Sequence, residues 1–309
     1  MRLALSRRLR KLERMFGIPE LQRESLSADQ VVEYYERCHD AYRKYHSKEG
    51  AVHMALNDGD RFDPDGFYGQ LRLMELGWFA PEQSPPADVL ELAFGQGFNL
   101  AYLADRHPQT RFAGIDITPA HLQLAQERLQ RAGLANAKPE LGDFHDLPYA
   151  DASFDHAFCI EAMCYATDLD RTLSEAARVL RPGGSLTLFD GYLLRPPQQM
   201  QPDEALAVDL VARGMAMERL QQLSEVLAVA QRVGLQTVNV AALDHSVLPS
   251  LRRLERVTGA VIRFPWLGRR LLSRRSPARS RNILAGYLMG NTVQLGLIGY
   301  RHIVLRKEQ

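Results

Sequence analysis

The run Asp88–Phe94 (DVLELAF), followed at once by Gly95-Gln96-Gly97, constrains the fold more than any other part of the chain. An apolar run of strand length that ends in a glycine turn and opens into helical spacing at Asn99–Arg106 is half of a strand–turn–helix repeat. The pattern recurs. Arg111–Ile117 (RFAGIDI) predicts a second strand, and Pro119–Ala132 a second helix with proline in its first turn. Pro139–Leu141 predicts a short third strand, Phe154–Ile160 (FDHAFCI) a fourth and Leu169–Leu180 a third helix. Arg181-Pro182-Gly183-Gly184 reads as a turn before a fifth strand, Ser185–Asp190. Strands alternating with helices predict a parallel α/β sheet. Beyond it, Pro202–Val233 reads as a long helical stretch, and Leu235–Leu243 and Gln294–Leu305 as strands.

These readings divide the chain into a helical N-terminal cap (1–86), an α/β core (87–243), a basic helical insertion on the substrate side (244–291) and a final strand completing the sheet (292–309). The cap closes on a turn-like stretch, Ala80-Pro81-Glu82-Gln83-Ser84-Pro85-Pro86. The insertion is too long for a plain loop and should carry its own structure. It holds Arg252, Arg253, Arg256, Arg263, Arg269, Arg270, Arg274, Arg275, Arg279 and Arg281 against Asp244 and Glu255. That basic patch reads as a solvated face, as an anchor for a substrate phosphate or diphosphate, or as a peripheral membrane contact through Val261–Leu267 (VIRFPWL). Net charge is only +1 and no base-reading module is present, which argues against nucleic acid as a partner. Cys38, Cys159 and Cys164 have no paired spacing, so a reducing, cytoplasmic setting without disulfides or a metal knuckle is expected. No apolar run reaches the length of a membrane span. The stripe Leu3, Leu5, Leu9, Leu12 and Phe16 reads as a surface or lid helix, with a membrane-surface contact as the alternative. Oligomeric state, homo-oligomer included, is left open.

A glycine turn lets backbone approach a ligand, and the helix behind it presents unpaired N–H groups. Asp116 ends the second strand, where a carboxylate can accept ribose hydroxyls, and Asp143 follows the third. A dinucleotide fingerprint would place a third glycine at position 100, which is Leu100. The order ELAFGQG, GIDIT, GDFHDLPYADASFD, LRPGG resembles the successive motifs of class I S-adenosylmethionine-dependent methyltransferases over residues 88–190. The resemblance implies a Rossmann-like seven-stranded sheet with a helical cap, and S-adenosyl-L-methionine as cofactor. It implies that Glu91 and Gly95-Gly97 flank the methionine part, that Asp116 holds the ribose and Asp143 with Phe144 the adenine, and that Ala93, Ile117 and Ile160 also belong to the cofactor site. Ala93 departs from the family, which usually has glycine there.

The segment FDHAFCIEAMCYATD (154–168), with the Tyr34-Tyr35 pair upstream, is similar to sterol C-methyltransferases and their relatives acting on tocopherols and prenyl diphosphates. The implied acceptor is a small apolar isoprenoid or sterol-like molecule, with or without a phosphate, which could bring magnesium. In that group a glutamate ending the fourth strand lies near the transferred methyl; here it is Glu161, with Tyr165 and Tyr35 as catalytic companions. Alkene attack on a sulfonium methyl leaves a carbocation, which a carboxylate can stabilise and deprotonate, and which aromatic faces among Tyr34, Tyr35, Tyr42, Tyr45, Tyr165 and Tyr192 can stabilise. An ion-paired carboxylate at a strand end is the plainer reading of Glu161. The alternative activity is O- or N-methylation of an aromatic or polyketide-like molecule with His145, His156 or a cap histidine as base. His39, His46 and His53 recur every seven residues, placing them near one face of a helix, where packing is commoner than ligation.

Overall fold

A computed structural model describes residues 2–23, 30–35, 46–80, 84–263 and 277–309. Its strands are Asp88–Leu92 (β1), Arg111–Asp116 (β2), Ala137–Leu141 (β3), Phe154–Ile160 (β4), Leu180–Leu193 (β5), Leu235–Ala242 (β6) and Ile298–Lys307 (β7). They form one seven-stranded sheet in the order β3-β2-β1-β4-β5-β7-β6. β1 to β5 are parallel, and β7 runs antiparallel between β5 and β6. The chain order reverses between β1 and β4, so a crevice opens at the C-terminal ends of these strands.

Helices Arg2–Glu13 (α1), Ile18–Arg23 (α2), Gly69–Trp78 (α3), Phe98–Arg106 (α4), Pro119–Ala132 (α5), Leu169–Val179 (α6), Pro202–Gly214 (α7), Leu223–Arg232 (α8), Asp244–Ile262 (α9) and Pro277–Gln294 (α10) surround the sheet. Local chemistry fixes their ends. Asp168 caps α6 by accepting from the Arg171 N–H, and Pro119 opens α5, which stops at Gly133 with φ 67°. One sheet face buries Leu173, Ala176 and Ala177 of α6 with Val226, Val229 and Ala230 of α8. The other buries Leu100 and Leu103 of α4 and extends continuously into the helical cap through Leu71, Trp78, Leu210, Leu251 and Leu288. The cap and the sheet therefore share one core.

Four expectations need correction. The 181–184 turn is absorbed into β5: Phe154 pairs with Leu180 and His156 with Ser185, and the surplus residues bulge at Gly183, φ 77°. The stretch 202–233 is two helices, broken where Ala216 takes φ 58° and Gln222 bridges to Leu193. The last strand does not begin at 292 or 294. α10 continues to Gln294, past the expected end of the insertion, and stops at Gly296, whose φ of 64° lets the Leu297 N–H bond back to the Thr292 carbonyl. The N-terminal cap is not helical throughout either. Residues 48–63 cross the strand ends without helix, tied to α9 by Asn57 N–H to Ser246 O and Ala55 N–H to Ser250 Oγ.

Candidate active site

The turn after β1 winds through left-handed backbone at Ala93 (φ 61°), Gly95 (φ 54°) and Gly97 (φ 70°). Ala93 bears a Cβ where that conformation costs about 1–2 kcal/mol, which explains why glycine is the usual choice there. The Gly95 N–H donates to Asp116 Oδ2 at 2.9 Å, the Thr118 N–H donates to Oδ1 at 2.9 Å, and His121 Nδ1 lies 3.2 Å from Oδ1. The buried Asp116 carboxylate thus ties the glycine turn to the start of α5 and retains acceptor capacity toward the crevice.

That crevice is a cleft of about 410 Å3. Its walls bring together Ala93, Gly95, Asp116, Ile117, Asp143, Phe144, Ile160, Glu161, Tyr165 and Tyr35, ten of the residues expected at the site. Asp143 accepts from the His145 N–H at 2.9 Å and holds its Nδ1 at 2.6 Å. The Tyr35 hydroxyl donates to that of Tyr165 at 3.1 Å, and Tyr165 donates to the Met215 carbonyl at 2.8 Å, so both hydroxyls are engaged and the rings form the wall.

Glu161 follows β4 in left-handed backbone, φ 52°. Such strain in a non-glycine residue persists only when its surroundings over-determine it. The Met54 N–H donates to Oε1 at 2.7 Å and the Tyr300 hydroxyl donates to the same oxygen at 2.8 Å. Gln70 Nε2 donates to Tyr300 at 3.1 Å and to the Met54 carbonyl at 2.7 Å. Burial pushes the Glu161 carboxyl up to about 8, against the lowering effect of these two donors. A second cavity, of about 50 Å3, opens on the far side of Glu161. It is lined by four methionines (Met54, Met215, Met217, Met289), Leu220, Leu251, Val211, Val247, Val293 and Ile298, with Tyr300 and Asp190 as its polar groups beside Glu161. Cleft and pocket share Glu161, Cys164 and Met217. Asp190 accepts from the Cys164 N–H at 3.0 Å and the Gly191 N–H at 2.7 Å, and burial raises it to about 6.

Other expected residues stand elsewhere. Glu91 and Gly97 lie behind the cleft: Glu91 accepts from Asn99 Nδ2 at 2.7 Å, and a Cβ on Gly97 would meet that of Ala125 at 2.7 Å, so this glycine serves the packing of α5. His46 and His53 share no helix face, because the backbone leaves helix there and turns at Gly50 (φ 88°). His46 Nε2 meets the His53 carbonyl at 2.9 Å; burial lowers both rings, His46 to about 4. His156 is stacked on Trp78, away from the cleft, and bonds Ser185 Oγ at 2.7 Å. Tyr192 is buried on the opposite sheet face, and Tyr34 packs with Ala216. Of the insertion's arginines, Arg253 donates to the His46 carbonyl at 2.8 Å and lies over Phe62; none that is described lines either cavity. Cys38, His39, Tyr42, Tyr45, residues 264–276 and the Arg279 side chain fall outside what the structure describes. No described helix is long and apolar enough to cross a membrane.

Sequence reasoning missed Tyr300, Gln70, the Met54 N–H and Asp190. Asp190 carried a usable signal, an acid at the C-terminal end of a central strand, the same signal that marked Asp116. Tyr300 and Gln70 carried none, because each reaches Glu161 from a distant segment.

Residues 89–184 match the family described as a methyltransferase domain. The chain is similar to a 24-methylenesterol C-methyltransferase 2 of Oryza sativa subsp. japonica, 29% identical over 55% of this chain and 46% of that protein. The match spans about half the length of the curated relatives. In fold it is similar to the cyclase SpnF (TM-score 0.72, 17% identity, 92% of this chain and 97% of that one). It is also similar to the geranyl diphosphate C-methyltransferase from Streptomyces coelicolor A3(2), solved with Mg2+, geranyl diphosphate and S-adenosyl-L-homocysteine (TM-score 0.64, 15% identity, 89% and 98%). The seven-stranded sheet is that of the class I methyltransferases, and residues 89–184 carry the methyltransferase-domain pattern.

Proposed function

We propose that this protein is an S-adenosylmethionine-dependent methyltransferase that forms a carbon–carbon bond on a small, largely apolar acceptor, isoprenoid or sterol-like, with Glu161 as base. One observation carries the reading: Glu161 stands at the junction of a polar, acid-bearing cleft and an apolar pocket. The sequence similarity to a sterol C-methyltransferase supports it.

The cleft suits the cofactor. Its volume fits a nucleoside with an amino-acid tail, Asp116 can accept ribose hydroxyls, Ile117 and Phe144 offer apolar faces for a base, and Gly95 keeps the turn open. When bound, the sulfonium supplies an already activated methyl electrophile. The protein aligns the acceptor and handles charge. The pocket takes one short apolar branch of the acceptor, and its methionines adapt to branch shape. As the new bond forms, positive charge develops on the acceptor beside Glu161. Met54 and Tyr300 hold Oε1 and leave Oε2 without a hydrogen-bond partner among the described residues, so Oε2 faces that charge and takes the proton that restores the alkene. The apolar lining keeps water from quenching the cation. Tyr35 and Tyr165 contribute ring faces, since their hydroxyls are spent on each other and on Met215.

An O-methylating reading would use His145, which lines the cleft. Its Nδ1 is held by Asp143 and its Nε2 accepts from the Thr167 N–H at 3.1 Å, which leaves neither nitrogen for a substrate hydroxyl. The test offers methyl-labelled S-adenosylmethionine with a panel of prenyl and sterol alkenes and reads products by NMR. A methyl on carbon is expected; a methoxy or N-methyl product would overturn the assignment. Glu161→Gln should cut turnover by about 10²–10⁴ while S-adenosylhomocysteine affinity stays within about 3-fold.

A further inference from the structure

Behind the glycine turn lies a row of polar side chains that the mechanism above leaves unused. Glu91 on β1, Asn99 on α4 and His53 are 1%, 6% and 2% exposed. Glu91 Oε1 is 2.7 Å from Asn99 Nδ2, Asn99 Oδ1 is 3.1 Å from His53 Nε2, and His53 Nδ1 is 3.2 Å from the Met54 carbonyl oxygen. Taken literally, both ring nitrogens face acceptors. Satisfying them requires a buried imidazolium and, across the amide, a buried carboxylate. Glu91 Oε2 is buried with no hydrogen-bond partner among the described residues, although the Leu100 backbone N–H lies near the carboxyl. A carboxylate so placed is poorly solvated, and a charge pair taken out of water is expensive.

The oxygen and nitrogen of an asparagine amide have the same shape, so the two can be exchanged without moving an atom. With Asn99 turned over, the Glu91 acid O–H donates to Asn99 Oδ1, Asn99 Nδ2–H donates to His53 Nε2, and His53 Nδ1–H donates to the Met54 carbonyl. Each contact then joins a donor to an acceptor, and no charge is buried. The 2.7 Å separation is normal for an O–H···O bond. Burial drives Glu91 up to about 8 and His53 down, the same direction.

We infer that Glu91, Asn99 and His53 form a neutral hydrogen-bond chain running one way, which holds Met54 by its carbonyl and thereby sets the N–H that orients Glu161. All three are positioning residues. The link to Glu161 rests on the function proposed above; the polarity of the chain does not. Gln70 grips the same carbonyl from the cap side, so Met54 is fixed from two directions before its N–H reaches Oε1.

The experiment is ¹⁵N NMR of histidine-labelled protein at neutral pH, joined to kinetics. In the wild type His53 should be neutral with its proton on Nδ1. Glu91→Gln should retain that tautomer, because the new amide N–H replaces the acid O–H. Asn99→Leu should keep the proton on Nδ1, because the Met54 carbonyl still takes it, but leave Nε2 without a donor and so move its ¹⁵N resonance downfield, with kcat falling about 10-fold and S-adenosylhomocysteine affinity changing less than about 2-fold. His53→Phe, which removes both ring nitrogens at similar volume, is the second variant should Asn99→Leu fail to fold, with the same kcat split expected. A doubly protonated or Nε2–H ring in the wild type overturns the chain whether or not methyl transfer is observed. Equal losses of kcat and cofactor-product affinity in Asn99→Leu overturn its link to Glu161.

Discussion

The cleft takes most of its walls from short segments that end or follow a strand: 93–95 at β1, 116–118 at β2, 142–145 at β3 and 160–168 at β4, closed over by Val31, Tyr35, Val52 and residues 216–219. The pocket a few ångströms away collects Met54 from the loop before α3, Asp190 from β5, Val211 from α7, Val247 and Leu251 from α9, Met289 and Val293 from α10 and Tyr300 from β7. Both meet at Glu161. The cleft is thus a property of the sheet, whose strand ends must converge there, while the pocket is a property of how separate helices pack over it. A scaffold built this way can keep its donor site while its acceptor site changes through helix side chains.

Three measurements test that contrast. The largest effect belongs to Asp116→Asn. If the cleft is sheet-built and acid-dependent, S-adenosylhomocysteine binding should weaken about 10–100-fold, the loss of one or two hydrogen bonds to a charged group, while acceptor KM moves little. Calorimetric titration reads it, and an unchanged affinity would break the assignment. Next, Met289→Trp should fill the pocket without reaching the cleft. Acceptor KM should rise about 10-fold with cofactor affinity unaltered; a matching loss of both would mean that the two cavities are not separable. The smallest effect concerns stability. Glu161 sits at about 8 in the folded protein against an ordinary value of 4.5, so its protonated form favours folding and that contribution fades as pH rises from 4.5 through 8. Glu161→Gln should therefore melt about 2–4 °C above the wild type at pH 9, the shift expected for roughly 1 kcal/mol, and show no gain near pH 4. A variant that melts lower at pH 9 would mean that the carboxylate is better accommodated than its surroundings suggest.

The same contrast decides what could be read from the chain alone. β4 and α5 lie where the apolar spacing placed them, at Phe154–Ile160 and Pro119–Ala132, because each is delimited by local signals. Nine residues of the cleft wall were legible because a ligand crevice at strand ends is written into the residues that end or follow each strand; Tyr35, far upstream, was named only through the paired-tyrosine resemblance. Tyr300, Gln70 and the helix residues of the pocket were not, since nothing local says that residues 54, 70, 161 and 300 will meet. Glu91 and Gly97 show the opposite case. Their place in the motif suggested ligand contact, whereas one is bonded to Asn99 and the other is pressed against Ala125. A motif records which residues a turn needs, and some of those needs are internal packing.

β7 enters the sheet between β5 and β6, although β6 precedes it in the chain. Until residues 298–307 insert, β6 has no neighbour to pair with, and Glu161 lacks the Tyr300 hydroxyl that holds it. Both the pairing of β6 and the orientation of the Glu161 carboxylate therefore depend on one strand. β6 stays the outer strand of the finished sheet, with Val238 and Val240 exposed, so β7 covers only its inner edge. A substitution that loosens β7 should therefore disturb the sheet and the setting of Glu161 together.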